Sequence, residues 1–313
     1  MFKKNTIIIT VFTLLLVVFT TYVLADTFFI TRVYSNVEYE TTENVSTGSE
    51  WTEESGENDE GESAQKTTVP EITDTTYQDD NIQITLTQYT AYDTTIYVAD
   101  ITLSDASYLQ TALAQGLYGK NVTAETSDTA ESVGAILAIN GDYYGSQERG
   151  YVLRNGTLYR STADSGQEDL VIYEDGSFEI ITETEVSAEE LLENGAVQIL
   201  SFGPALVEDG VISVSEGDEV GKAKASNPRT AIGIIDDLHY VFVVSDGRTD
   251  ESEGLSLYQL AEFMDSLGVK TAYNLDGGGS STMYFNGQVI NNPTTSGNSI
   301  KERKVSDIVY IGY

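Results

Sequence analysis

Four stretches of this chain place polar side chains directly after an apolar run, where the end of a strand would present them. In L275-D-G-G-G-S-S-T-M, Asp276 is followed by Gly277, Gly278 and Gly279, then by Ser280, Ser281 and Thr282. Glycines can take positive φ and let backbone N–H groups converge on an anion, and the hydroxyls add donors. A tight turn capped by Asp276 would need one or two glycines, so three favour a ligand cradle. The lysine of a Walker loop is missing. In S226-N-P-R-T-A-I-G, Asn227-Pro228 sets an extended turn and Arg229 opens a strand. That placement suits bidentate recognition of phosphate or carboxylate, although Arg229 taken alone is better explained as a surface salt bridge. In A135-I-L-A-I-N-G-D-Y-Y-G, a buried strand delivers Asn140, Gly141 and Asp142 into a loop with Tyr143 and Tyr144, whose rings suit stacking on a sugar. N-G-D on its own is an ordinary turn. The fourth stretch, V241-F-V-V-S-D-G-R, brings Asp246 and Arg248 off another apolar strand, with His239 ahead of it as a structural residue.

Composition narrows the chemistry further. The chain has no cysteine and one histidine, which excludes thiol nucleophiles, thiolate zinc and disulfides, and argues against a Ser-His-Asp triad or an H-E-x-x-H site. Its formal net charge of −34 would repel a phosphate backbone, so nucleic acid is not an expected partner. Carboxylates, arginines, hydroxyls and backbone dipoles remain.

The elements that must position these residues are legible from Asn81 onward. I82-Q-I-T-L-T alternates as a half-buried strand should. Asn155-Gly156, Asp175-Gly176, Asp209-Gly210 and Asn286-Gly287 each separate apolar runs and read as hairpin turns. Ser187 with Glu190, and Ser256 with Gln259, form capping-box patterns ahead of two helices. The second carries Leu257, Leu260, Met264 and Leu267 on one stripe and stops at Gly268. The expected fold is α+β: mixed or antiparallel strand-rich sheets with a few helices over residues 81–313. That region carries 12 basic and 35 acidic residues, a net of −23.

The first 80 residues differ. Lys3 and Lys4 precede an uncharged apolar run from Asn5 to Ala25, long enough for a transmembrane anchor over residues 1–30. Lysines before the run and Asp26 after it put the N-terminus inside and the domain outside, a single-pass cell-membrane protein. The alternative is a signal peptide cleaved after Val23-Leu24-Ala25 and a secreted domain. Residues 31–80 are read as an acidic disordered spacer, since residues 38–80 hold 14 acidic side chains against Lys66 alone.

Taken together, N140-G-D-Y-Y, F202-G-P-A-L-V, N227-P-R-T-A-I-G, D246-G-R and L275-D-G-G-G-S-S-T-M resemble the phosphodiester glycosidase domain. That family includes N-acetylglucosamine-1-phosphodiester α-N-acetylglucosaminidases and bacterial exopolysaccharide-associated proteins. The resemblance runs from about Val133 to the strand V305-S-D-I-V-Y-I-G and covers residues 81–132 only loosely. It implies hydrolysis of a sugar-1-phosphodiester at the anomeric C–O bond, on a cell-surface or extracellular phosphate-linked glycan. Arg229 and the Gly277–Gly279 loop would hold the developing phosphate charge, and Asp276 or Asp142 would act on the sugar side. Asn140, Gly141, Tyr143, Asp246, Arg248, Ser280 and Ser281 complete the expected substrate site. No cofactor is required on this reading, and a Ca²⁺ ion is an expectation from the acidic surface alone. The alternative class is a non-catalytic glycan- or teichoic-acid-binding module, or an exopolysaccharide-assembly protein; it would need the cradle but tolerate loss of the aspartates.

Overall fold

The computed structural model describes residues 2–36, 69–218, 226–296 and 299–313. Antiparallel strands dominate it, with four α-helices among the described residues, so the architecture is α+β. The alternation at Ile82 is realised: Ile82 and Ile84 are buried, and Gln83 and Thr85 are exposed. Asn155-Gly156, Asp175-Gly176, Asp209-Gly210 and Asn286-Gly287 each turn a hairpin. Asn155 (φ 47°) and Gly156 (φ 75°) both sit in the left-handed region that a two-residue hairpin loop requires.

A nine-stranded sheet forms the centre of the fold, and its inner strands are Thr94–Leu103, His239–Ser245, Arg229–Asp236 and Thr271–Leu275. Tyr240, Phe242 and Val244 face one core, while Val241 and Val243 face another. Burial on both faces explains why this strand reads as an unbroken apolar run rather than an alternating one. The first face packs against two five-stranded sheets. One contributes Leu137, Ile139 and Val309; the other contributes Leu170, Ile172 and Leu200. The opposite face is covered by the helix Leu257–Ser266 through Leu257, Leu260 and Met264. That helix has the full capping box of Ser256 and Gln259, and Gly268 follows it at φ 79°. The shorter helix Ala188–Glu193 starts where Ser187 accepts from the Glu190 N–H at 3.2 Å.

At the N-terminus, the helix Phe2–Phe28 contains an 18-residue apolar window, Thr10–Thr27, long enough to cross a membrane, as a signal sequence near a terminus also would be. Most of the expected acidic spacer, residues 37–68, lies outside the described residues. Its two ends are in strands. Arg32–Asn36 pairs with Leu117–Lys120, and Glu71–Ile72 with Thr76–Gln78 extends the nine-stranded sheet beyond Ile82. Edge strands with an open face need few apolar residues, here chiefly Tyr77, so composition conceals them.

Candidate active site

Antiparallel pairing collects the chemistry at one edge of the large sheet. Arg229 begins its strand opposite Ser245, and Thr230 lies opposite Leu275, the last residue before Asp276. The start of one strand and the ends of two others therefore meet. Asn140 ties in the neighbouring sheet: its amide donates to the Asp276 carbonyl at 2.7 Å, and its oxygen accepts from the Thr230 hydroxyl at 2.8 Å.

A cavity of about 470 Å³ opens at this edge. Four cationic side chains line it: Arg229, Arg248, Arg303 and Lys304. Asp276 is the one carboxylate among the described residues of its wall. Tyr143 and Phe202 form an aromatic side, their rings edge-to-face at 5.0 Å.

The three glycines allow close approach by other groups. A Cβ on Gly278 would lie 2.7 Å from Nη2 of Arg248, and one on Gly279 would lie 2.9 Å from Nη2 of Arg303. One on Gly277 would meet the Pro228 carbonyl at 2.9 Å. The loop departs from the expected nest of N–H groups. Gly278 donates to the Pro228 carbonyl at 2.8 Å, Ser280 to Gly277 at 3.2 Å and Ser281 to Gly278 at 3.3 Å. The glycines instead let two guanidinium groups rest on the backbone, and the positive charge in the cavity comes from side chains.

Asp276 is half-buried, its Oδ2 accepting from the Ser280 hydroxyl at 2.6 Å. Burial raises its pKa above the ordinary value and the nearby Asp142 charge adds to the rise; the Ser280 hydrogen bond, Arg303 and the Gly277 N–H oppose it. Arg229 is buried: its backbone N–H donates to Ser245 Oγ at 2.9 Å and its Nε to the Leu255 carbonyl at 2.9 Å. Arg248 adopts φ 64° and donates from Nη2 to Asn227 Oδ1 at 2.8 Å. Burial lowers its pKa, and the charge of Arg303 adds to the effect.

Several expected site residues stand behind the wall and support it. Asp142 is fully buried, accepting from the Tyr144 N–H, the Ser201 N–H and Arg154 Nη2 at 2.9, 2.9 and 2.8 Å. Arg154 also donates to Asp307, from Nε at 2.8 Å and Nη2 at 2.6 Å. Asp142 is therefore half of a buried Asp–Arg–Asp bridge and is not among the residues lining the cavity. Gly141 covers Asp307 so closely that a Cβ would collide with its carboxylate. Asp246 accepts from the Asn292 N–H at 2.8 Å and fixes the loop whose Asn291 amide donates to the Ser281 carbonyl at 2.9 Å. Ser281 is buried beneath the loop. His239 lies beside Asp100 at 3.1 Å and outside the cavity wall, consistent with a structural residue.

Arg303, Lys304, Phe202 and Asn227 were not among the expected site residues. K301-E-R-K sits in polar sequence without strand or glycine punctuation, and its one signal is a basic cluster in an acidic domain. Among the described residues, no three His, Asp or Glu side chains are placed to hold a metal ion.

The phosphodiester glycosidase family profile matches residues 133–312. The chain belongs to the phosphodiester glycosidase family. Within that family, 188 residues are 31% identical to the N-acetylglucosamine-1-phosphodiester alpha-N-acetylglucosaminidase of Mus musculus, over 55% of this chain and 36% of the mouse protein. The Homo sapiens enzyme is 30% identical over the same shares. The SPbeta prophage-derived uncharacterized protein YomE of Bacillus subtilis is 31% identical over 57% of this chain and 28% of its own length. The match thus spans about a third of these relatives' lengths. The zebrafish enzyme's catalytic domain, auto-inhibited by its pro-peptide, has the same fold: TM-score 0.59, 22% identity, 74% of this chain and 83% of that one. A hypothetical protein from Synechocystis shares it at TM-score 0.54 and 15% identity, over 74% and 62% of the two chains.

Proposed function

We propose that this domain hydrolyses a sugar-1-phosphodiester, breaking the anomeric C–O bond to release the free sugar and leave a phosphomonoester. The observation that carries this reading is the charge of the cavity. In a region of net −23, four basic residues and, among the described residues, a single acidic one line one 470 Å³ space. A phosphate leaving group departs as a stable anion, so a strong general acid is less necessary than for an alcohol leaving group. What it needs is fixed positive charge where negative charge grows, and Arg229, Arg248, Arg303 and Lys304 supply it. Asp276, more basic than an exposed aspartate when ionised, takes the sugar side, either stabilising the oxocarbenium-like centre or removing a proton from the attacking water. Tyr143 and Phe202 provide the face on which the sugar ring packs. Their names tie the curated animal relatives to N-acetylglucosamine phosphodiesters, and that sugar is the first to test here.

The N-terminal helix supports a membrane anchor with the domain outside, acting on a phosphate-linked glycan at the cell surface. The test is the purified full-length protein in detergent against a panel of sugar-1-phosphodiesters in ¹⁸O-water. Free sugar and phosphomonoester should appear in equal amounts, with the label on the sugar. Label on the phosphate would mean P–O cleavage and would overturn the reading, as would no release from any panel member.

A further inference from the structure

The end of the apolar helix is clasped onto the domain beside the cavity. Asp26, in the last turn, pairs with Arg32 and lies 3.7 Å from Lys120 Nζ. The Asn121 amide donates to the Ile30 carbonyl at 3.0 Å and lies 3.5 Å from that of Asp26. Arg32–Asn36 then pairs antiparallel with Leu117–Lys120, with a register shift between Val33 and Ser35, and Tyr34 packs on Tyr118 with ring centroids 5.7 Å apart. Thr123, two residues beyond Asn121, lines the cavity. The Asn121 N–H bonds the Gly145 carbonyl at 3.0 Å, and the next residue, Ser146, is also in the wall. Two residues of extended chain span at most about 7 Å.

These contacts fix the height of the site above a bilayer. The apolar window ends at Thr27, which puts Asp26 at the headgroup level of a membrane that the helix crosses. The residues that follow include Phe29 (80% exposed) and Tyr34 (60% exposed), side chains suited to the interfacial zone. The cavity wall at Thr123 and Ser146 therefore lies close to the helix end, which brings the site near the headgroup layer with no long tether between the two.

We infer that the substrate is lipid-linked: a glycosyl phosphodiester whose alcohol is a long-chain lipid embedded in the same bilayer as the helix. Water adds across the anomeric C–O bond. Its oxygen goes to the sugar and one proton is released to solvent or to the phosphate, while the lipid phosphomonoester stays in the membrane. This inference rests on the proposed hydrolysis and on an uncleaved helix.

The experiment uses the full chain in proteoliposomes with two substrates bearing the same sugar-1-phosphate, one a long-chain polyprenyl ester in the same vesicles and the other a water-soluble short-chain ester. Turnover of the embedded ester should exceed that of the soluble ester at equal bulk amount by a factor on the order of 10 or more, through effective concentration. It should fall by a similar factor when the ester is placed in separate vesicles. A twenty-residue Gly-Ser insertion between Ile30 and Thr31, and separately Asn121→Gly, which tolerates that position's φ of 56°, should lower embedded turnover and leave soluble-ester turnover unchanged. Hydrolysis of the soluble ester with the embedded one untouched would overturn the lipid-linked substrate and leave the hydrolase reading standing. Equal embedded turnover by the insertion variant would overturn the positioning role of the clasp. Failure on both esters would overturn the hydrolysis itself.

Discussion

Arg248 lies directly against the backbone of Gly278: a methyl group there would sit 2.7 Å from its Nη2. Gly278 also holds φ 62°, so any side chain at this position is strained twice over. Gly278→Ala should cost about 1–3 kcal/mol of stability and push the guanidinium away from its Asn227 partner. The expected kinetic result is a raised KM with a smaller change in kcat. A melting curve and kinetics indistinguishable from the parent would mean that Arg248 is not seated as described.

Among the described residues Asp276 is the carboxylate that reaches the cavity, whereas Asp142 is held behind it by Arg154. Asp276→Asn should lower kcat by a factor on the order of 10² to 10⁴ with KM little changed. Asp142→Asn should act mainly through stability. Because burial holds Asp276 above the ordinary aspartate range, and the ionised form is the active one, activity should rise with pH through that elevated value. The acidic limb of kcat/KM should therefore lie above the usual carboxylate region. A limb in the ordinary aspartate range would count against Asp276 as the group that titrates.

Arg303 presses on Gly279 from the polar C-terminal segment and lines the same wall as Arg229. Charge on the leaving phosphate grows as the C–O bond breaks, so its loss should hurt the transition state more than the ground state. Arg303→Ala should reduce kcat/KM by a factor on the order of 10² to 10³, the cost of one preorganised donor. Arg303→Lys should recover little of it, because an ammonium cannot reproduce the planar fork. Full recovery by lysine would show that charge alone matters at this position.

Asp307 is fully buried, and burial, reinforced by the Asp142 charge, raises its pKa from 3.8 to about 8 against the opposing pull of Arg154. Between those values the folded chain keeps a proton that the unfolded chain has released, so the unfolded state binds fewer protons. The Asp307 contribution to stability is therefore complete below pH 3.8 and is lost as pH rises toward about 8. Asp169, buried beside Glu183, is raised in the same direction and adds to the slope. Asp307→Asn keeps an acceptor for Arg154 and should flatten part of the fall in Tm between pH 5 and pH 8. An unchanged slope in that variant would remove Asp307 as its source.

Local order was readable from the sequence because it depends on near neighbours. Three of the four hairpin pairs needed two adjacent residues at positive φ and the fourth, Asp175-Gly176, only its glycine; the capping boxes needed partners three positions apart, and the apolar runs ending at Asn140, Ser245 and Leu275 needed only burial. Family membership followed from motifs such as Asp276 with its glycines and Arg229 after Pro228. Which polar residues face the cavity was settled by tertiary structure. Asp142 and Asp276 look alike in sequence, each following an apolar strand and beside glycine, but Arg154, itself held by Asp307 from a distant strand, ties Asp142 into the core. Arg303 has only the weak signal of a basic cluster, because its partner is the bare backbone of Gly279, available only once the C-terminal segment packs across the loop. The strand at Arg32–Asn36 was concealed for a related reason. An edge strand is held by backbone hydrogen bonds to a partner far along the chain, and its composition carries no trace of them.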